Sequence, residues 1–111
     1  LEHMTRSGGL FADFTTASPS VIREAARMAQ GRGVLFLDVA IMGAIALHGV
    51  QAPLLVAGAA TEEWRALMGR LGTSLTVMDD AEAGDASSLK LLRSAFTKSM
   101  EALTVEVLAA A

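Results

Sequence analysis

The sequence predicts an α/β fold on a mixed sheet, and three observations carry that prediction. Val34–Val39 (VLFLDV) is apolar on both faces, the pattern of a strand covered by helices on each side. Segments with helical spacing alternate with short apolar strands, giving the order β-α-β-β-α-β-α. The stretch between the second and third strands shows no helical pattern. A parallel return needs a crossover, usually a helix, so this pair is expected to run antiparallel within an otherwise parallel sheet.

The elements follow from local chemistry. Leu10–Phe14 (LFADF) is a short strand candidate. Ser18 then stands as an N-cap with Pro19 at the first helical position, where a missing N–H costs nothing. That helix runs to about Gln30, burying Ile22, Ala25, Ala26 and Ala29, with Gly31 as its expected stop. Leu54–Ala57 is a third strand, opened by Pro53 and closed by Gly58. Thr61 caps a helix whose first turn holds Glu62 and Glu63, where the helix dipole favours negative charge. Trp64, Leu67, Met68 and Leu71 share one face of it, and Gly72 ends it. Leu75–Met78 is a last strand. A long helix follows the turn at Asp79–Asp85, from about Ala86 to the end. Leu89, Leu92, Phe96, Met100, Leu103 and Val107 form one stripe along it, and Leu91, Ala95, Ala102 and Val105 lie on the far side.

Composition bounds what such a fold can do. The chain has 111 residues, 52% of them apolar, with a net charge of −3. Mean hydropathy is +0.45, rich for one small domain, which suggests surface that faces another part or another chain. No basic stripe is present, so no nucleic-acid partner is expected. With no cysteine and two histidines, disulfide scaffolds, thiolate nucleophiles and His- or Cys-based metal sites are excluded. Val34–Leu47, the longest apolar stretch, holds Asp38 and Gly43 and is too short to cross a bilayer. The expected compartment is cytoplasmic. Leu1-Glu2-His3-Met4 reads as a cloning remnant, and residues 1–8 as a lead outside the fold.

No GxGxxG follows any strand, so a phosphate-cradling glycine turn is missing. The polar groups that could carry chemistry are Thr15, Thr16 and Ser18 after the first strand, Asp38 with the loop up to Gln51, and Lys90 with Ser94 on the last helix.

In order, the segments FADFTTASP, FLDVAIMGA and GDASSLKLLRSAFTK resemble the 3-hydroxyisobutyrate and 6-phosphogluconate dehydrogenase superfamily. In that family a strand ending D-x-[ST]-T-x-x-P precedes a D-A-P-V-S-G-G loop, and a G-x(5)-K-x-x-x-N segment opens a long interdomain helix. The resemblance covers nearly all the chain after about Gly9, and is nearest to a phosphogluconate-dehydrogenase-like NAD-binding branch. It implies an incomplete Rossmann-like mixed sheet: a partial α/β domain over 9–85 and an interdomain-type helix over 86–111. The GxGxxG strands would precede residue 9, and an all-helical domain would follow residue 111.

The resemblance also implies roles. Thr15 and Thr16 would lie beside the nicotinamide of an NAD or NADP cofactor, although they can equally join Ser18 in capping the helix. Met42, Gly43 and Ala44 match the substrate-gripping Ser-Gly-Gly. Gly43 keeps the close backbone approach, whereas Met42 removes a hydroxyl donor and reads most simply as an apolar contact. Lys90 matches the catalytic lysine, against the plainer reading of a solvent-facing helix lysine. Ser94 stands where the family has asparagine. Arg93 and Lys98 read as ordinary exposed helix charges, and His48 as a solvated loop residue. The implied activity is hydride transfer between nicotinamide and a small hydroxyacid, as a fragment of an NAD(P)-dependent 3-hydroxyacid dehydrogenase-like oxidoreductase. Without the glycine turn, this chain is not expected to bind dinucleotide tightly or to be active alone. The alternative is a small non-enzymatic α/β module for self-association or ligand binding. In either case the doubly apolar final helix predicts a homo-oligomer through 86–111.

Overall fold

The computed structural model describes residues 8–111. The proposed cloning remnant lies outside the described residues. Strand β1 (Leu10–Asp13) leads to helix α1 (Pro19–Gly31), and β2 (Leu35–Ile41) to a single turn, α2 (Ile45–His48), extended by a 3₁₀ turn at Gly49–Gln51. β3 (Leu54–Gly58), α3 (Glu62–Arg70), β4 (Leu75–Val77) and α4 (Asp85–Ala110) complete the chain. The four strands form one sheet in the order β1-β2-β3-β4.

β1 and β2 are parallel, as are β3 and β4, while β2 and β3 pair antiparallel with Leu37 opposite Gly58 and Ile41 opposite Leu54. The sheet is therefore mixed, as the sequence predicts. The connection between β2 and β3 departs from expectation because it does contain helix, α2 and the 3₁₀ turn. Ile45, Leu47 and Val50 are all exposed, so this helix buries no face and leaves no amphipathic period to read. Four residues of helix are also too few for a parallel crossover, which is why the antiparallel pairing stands.

Side chains alternate cleanly across the sheet. Leu37 and Val39 of β2 join Leu54 and Val56 of β3 under Met68 of α3. On the opposite face, Val34 and Phe36 pack on Ile22 and Ala29 of α1. Ala40, Leu55 and Ala57 meet Ala86 of α4 on that same face. Small residues at these last contacts let the helix backbones come close to the sheet. Each fully buried Leu, Ile or Val contributes about 1.5–3 kcal/mol, so this two-sided centre holds the fold together.

Two helix ends differ from the sequence reading. α1 ends at Gly31, but the left-handed residue that closes it is Gly33 (φ +70°), where Gly33 N–H donates to Gln30 O and Val34 N–H to Ala29 O. Those two bonds satisfy the last carbonyls of the helix in a Schellman motif. Ser18 occupies the N-cap position of α1 with extended backbone, yet its hydroxyl bonds Ser20 Oγ at 3.2 Å and caps no backbone N–H. Thr61 does cap α3, its Oγ1 accepting from Trp64 N at 3.2 Å.

α4 has 26 residues, about 39 Å at 1.5 Å per residue, in a molecule of 61 × 31 × 27 Å. Its buried residues, Ala86 and Ser87, lie in the first turn. Both predicted apolar sets are exposed further along, Leu92 and Phe96 each at 68%. The two caps make a paired prediction. Thr61→Ala is expected to lower unfolding free energy by about 1 kcal/mol, and Ser18→Ala by no more than about 0.5 kcal/mol, both measured by urea denaturation.

Candidate functional site

The site is organised by a carboxylate in the middle of β2. Asp38 is 0% exposed. Its Oδ2 accepts from Gly84 N and Ser87 N, each at 2.9 Å, and its Oδ1 accepts from Ser87 Oγ at 2.6 Å. All three donors belong to the start of α4, where unpaired N–H groups and the helix dipole favour an anion. Asp38 is thus the N-cap of α4, supplied from a strand. Gly84, at the cap position, adopts φ +100°, and a Cβ there would lie 2.9 Å from Arg23 Cγ. In the sequence alone Asp38 reads only as a polar group near a loop, with no role attached to it.

Anchored at this end, α4 runs across the sheet to the edge where β1 and β2 finish. Lys90, one turn beyond Ser87, is half-buried there, and its Nζ donates to Thr16 Oγ1 at 3.3 Å. Between α4 and the end of β2 lies an open cleft of about 440 Å³, lined by Ile41, Met42, Gly43, Ala44, Lys90, Arg93, Ser94, Thr97, Lys98 and Glu101. Five residues singled out in the sequence therefore come together: Met42, Gly43, Ala44, Lys90 and Ser94. Thr16 joins them through Lys90.

Thr15 is not part of the cleft lining. Its hydroxyl-bearing residue is exposed, and its backbone N–H donates to Asp13 Oδ1 at 2.7 Å, turning the chain after β1. Gly43 has an internal reason for lacking a side chain, since a Cβ there would stand 2.8 Å from Pro53 Cδ. The requirement set by Pro53 is present without any ligand. His48 is exposed, as expected, but it is the last residue of the helical turn α2 and does not lie in a loop.

Arg93 is exposed, as expected of a helix charge, but its Nη1 also donates to Met42 O at 3.1 Å and ties α4 to the turn after β2. Its position three residues after Lys90 puts it on the same helix face, the one signal that could have found it.

An open α/β sheet with its cleft outside the carboxyl ends of parallel strands is the class of architecture that binds ligands at that edge. No protein-family model matches the chain, and no curated protein matches it. Solved structures do. A conserved protein of unknown function, described as structurally similar to 3-hydroxyacid dehydrogenases, is 35% identical with a TM-score of 0.81, over 92% of this chain and 38% of its own. A conserved hypothetical protein from Sinorhizobium meliloti is 31% identical with a TM-score of 0.77, over 92% of this chain and 34% of its own. An imine reductase from Myxococcus stipitatus, a variant solved with NAD+, is 30% identical with a TM-score of 0.65, over 96% of this chain and 38% of its own. The structural neighbours are thus 3-hydroxyacid dehydrogenase-like proteins and imine reductases, NAD(P)-binding members of the 6-phosphogluconate dehydrogenase-like superfamily, as the sequence motifs indicate. The chain spans little more than a third of the length of these relatives.

The buried cap yields a direct test. Asp38→Asn keeps the shape but removes the charge, and is expected to destabilise the chain by about 1.5–3 kcal/mol. Lys90→Ala, at the solvent-facing cleft, should shift stability by less than about 0.5 kcal/mol. Urea denaturation of the two variants beside the parent decides it.

Proposed function

We propose that this chain is the substrate-side segment of an NAD(P)-dependent oxidoreductase of the 3-hydroxyacid dehydrogenase type, in which Lys90 handles the proton. The observation that carries this reading is the Lys90–Thr16 hydrogen bond at the carboxyl ends of β1 and β2, beside the Met42–Ala44 turn. It sets an ammonium and a hydroxyl together where open α/β sheets receive ligands. The names of the solved relatives, among them an imine reductase with NAD+ and a reductive aminase with NADPH, support a nicotinamide cofactor for the complete protein.

The residues fit one end of that cofactor. Thr16 and the backbone after β1 offer polar groups for a carboxamide, whereas no described strand is followed by a glycine-rich turn that would hold a pyrophosphate. When bound, the nicotinamide gives or takes the hydride. Lys90 does the rest: its ammonium polarises a substrate carbonyl and delivers a proton to the oxygen, and in the reverse direction its neutral amine removes that proton. Ser94, one turn on, offers a hydroxyl to the same substrate, and Met42 an apolar wall.

The exposed apolar length of α4 supports a further part of the proposal, self-association through 86–111, and it also favours the second reading, a non-enzymatic module that pairs through this helix. A cytoplasmic setting belongs to the same proposal. Among the described residues, no helix is long and apolar enough to cross a membrane.

Two measurements test these points. Calorimetry of this chain with NAD(H) and NADP(H) is expected to give affinities weaker than about 1 mM, since the pyrophosphate lacks its usual charge-assisted grip. Micromolar binding would mean that phosphate is held elsewhere. Light scattering is expected to show a dimer or larger at micromolar concentration. Phe96→Asp should dissociate or unfold it and Lys90→Ala should not, because burying one large apolar side chain contributes about 1.5–3 kcal/mol.

A further inference from the structure

The cleft contains a cation that the proton transfer leaves unused. Arg93 follows Lys90 by three residues on α4, so the two side chains start from the same helix face. Nη1 of Arg93 is held by Met42 O at 3.1 Å, which fixes the guanidinium at the mouth of the turn after β2. That bond uses one of five N–H donors and leaves the others available. Among the described residues no carboxylate forms an ion pair with Arg93, and the cleft sets three cations, Lys90, Arg93 and Lys98, against one acid, Glu101. Ile41 and Met42 make the opposite wall apolar.

We propose that Arg93 is the specificity-determining residue of this cleft, receiving the carboxylate of a small oxo- or hydroxyacid while Lys90 faces the oxygen that reacts. This rests on the reading of Lys90 given above. A guanidinium offers parallel N–H donors in a plane that matches a carboxylate, and a carbonyl anchor on one nitrogen orients that plane without neutralising its charge. With methionine at position 42, the turn after β2 has no hydroxyl there to hold an acid, and Arg93 brings the missing donors to the same turn from α4. The apolar wall suits the alkyl part of such a substrate, and a cleft of about 440 Å³ suits a small one.

The test reads binding alone, on the full chain labelled with ¹⁵N. 3-Hydroxybutanoate and its methyl ester, equal in shape around the hydroxyl and different in charge, are titrated separately while the amide shifts of Gly43, Ala44 and Ser94 are followed. The acid is expected to bind about tenfold or more tightly than the ester, the scale of one charge-assisted contact. Arg93→Gln should reduce acid affinity to that of the ester and leave the ester unchanged. Arg93→Lys, which keeps the charge and loses the fork, should fall between them. Lys90→Ala should keep the preference for the acid, so the result stands or falls on Arg93 whether or not Lys90 moves the proton. Equal binding of acid and ester overturns the proposal, as does a preference that survives in Arg93→Gln. So does the absence of any saturable shift at tens of millimolar acid (about −2 kcal/mol of binding). Inorganic phosphate binding more tightly than the acid would reassign the anion and also overturn it.

Discussion

A carboxylate buried in the centre of a sheet is unfavourable unless its lone pairs are all engaged, and Asp38 meets that condition with donors from one place only, the first turn of α4. Much of the geometry follows. The bond pair from Gly84 and Ser87 fixes both the position of the helix start and its rotation about its own axis, because two successive points on the turn are held at once. With rotation fixed, Ala86 faces Ala40, Leu55 and Ala57, and one turn later Lys90 faces Thr16. Arg93 then reaches Met42 O, a third tether just past the end of β2. The site is therefore set by a cap that lies a full helical turn away from it.

That arrangement explains which parts were legible in the sequence. Strands β2 and β3 were, since continuous apolar runs covered on both faces leave little freedom of interpretation. The stop of α1 was not, because Gly31 and Gly33 flank a single arginine and only backbone geometry distinguishes them. α2 was invisible because it turns Ile45 and Leu47 outward, and a helix without a buried face has no period. Asp38 was visible but unassigned. Two complementary signals pointed to it: a lone acid inside an apolar strand requires several donors, and a helix opened by glycine lacks a side chain to cap itself. Neither signal decides anything alone, and their partnership spans 46 residues of sequence.

The cleft residues were legible for a different reason. Lys90, Ser94 and the Met42–Ala44 turn were found through the resemblance of ordered motifs, not through any chemical necessity in their spacing. The role of Arg93 is not legible in the sequence, because a charged residue on a polar helix face is, in isolation, an ordinary feature. What makes it distinctive is a carbonyl supplied by another element, and no local pattern in α4 carries that information.

α4 combines two unlike segments. Its first three turns are bound to the sheet by Asp38, Ala86 and Arg93, and carry the polar groups of the cleft. Its remainder extends from the body with Phe96, Met100, Leu103 and Val107 exposed. Apolar residues with nothing against them gain no burial energy, so the distal turns are held chiefly by their own backbone bonds, which are marginal for a segment of that length in water. The proximal segment needs no such support. Any chain or domain that covers the distal stripe would stiffen α4 as a whole. It would act on the cleft only through the continuity of the helix, because Asp38 already fixes its rotation at the other end. Order in the site and coverage of the stripe are thus separable properties of one helix, with the boundary between them near Lys98, where the cleft lining gives way to exposed apolar surface.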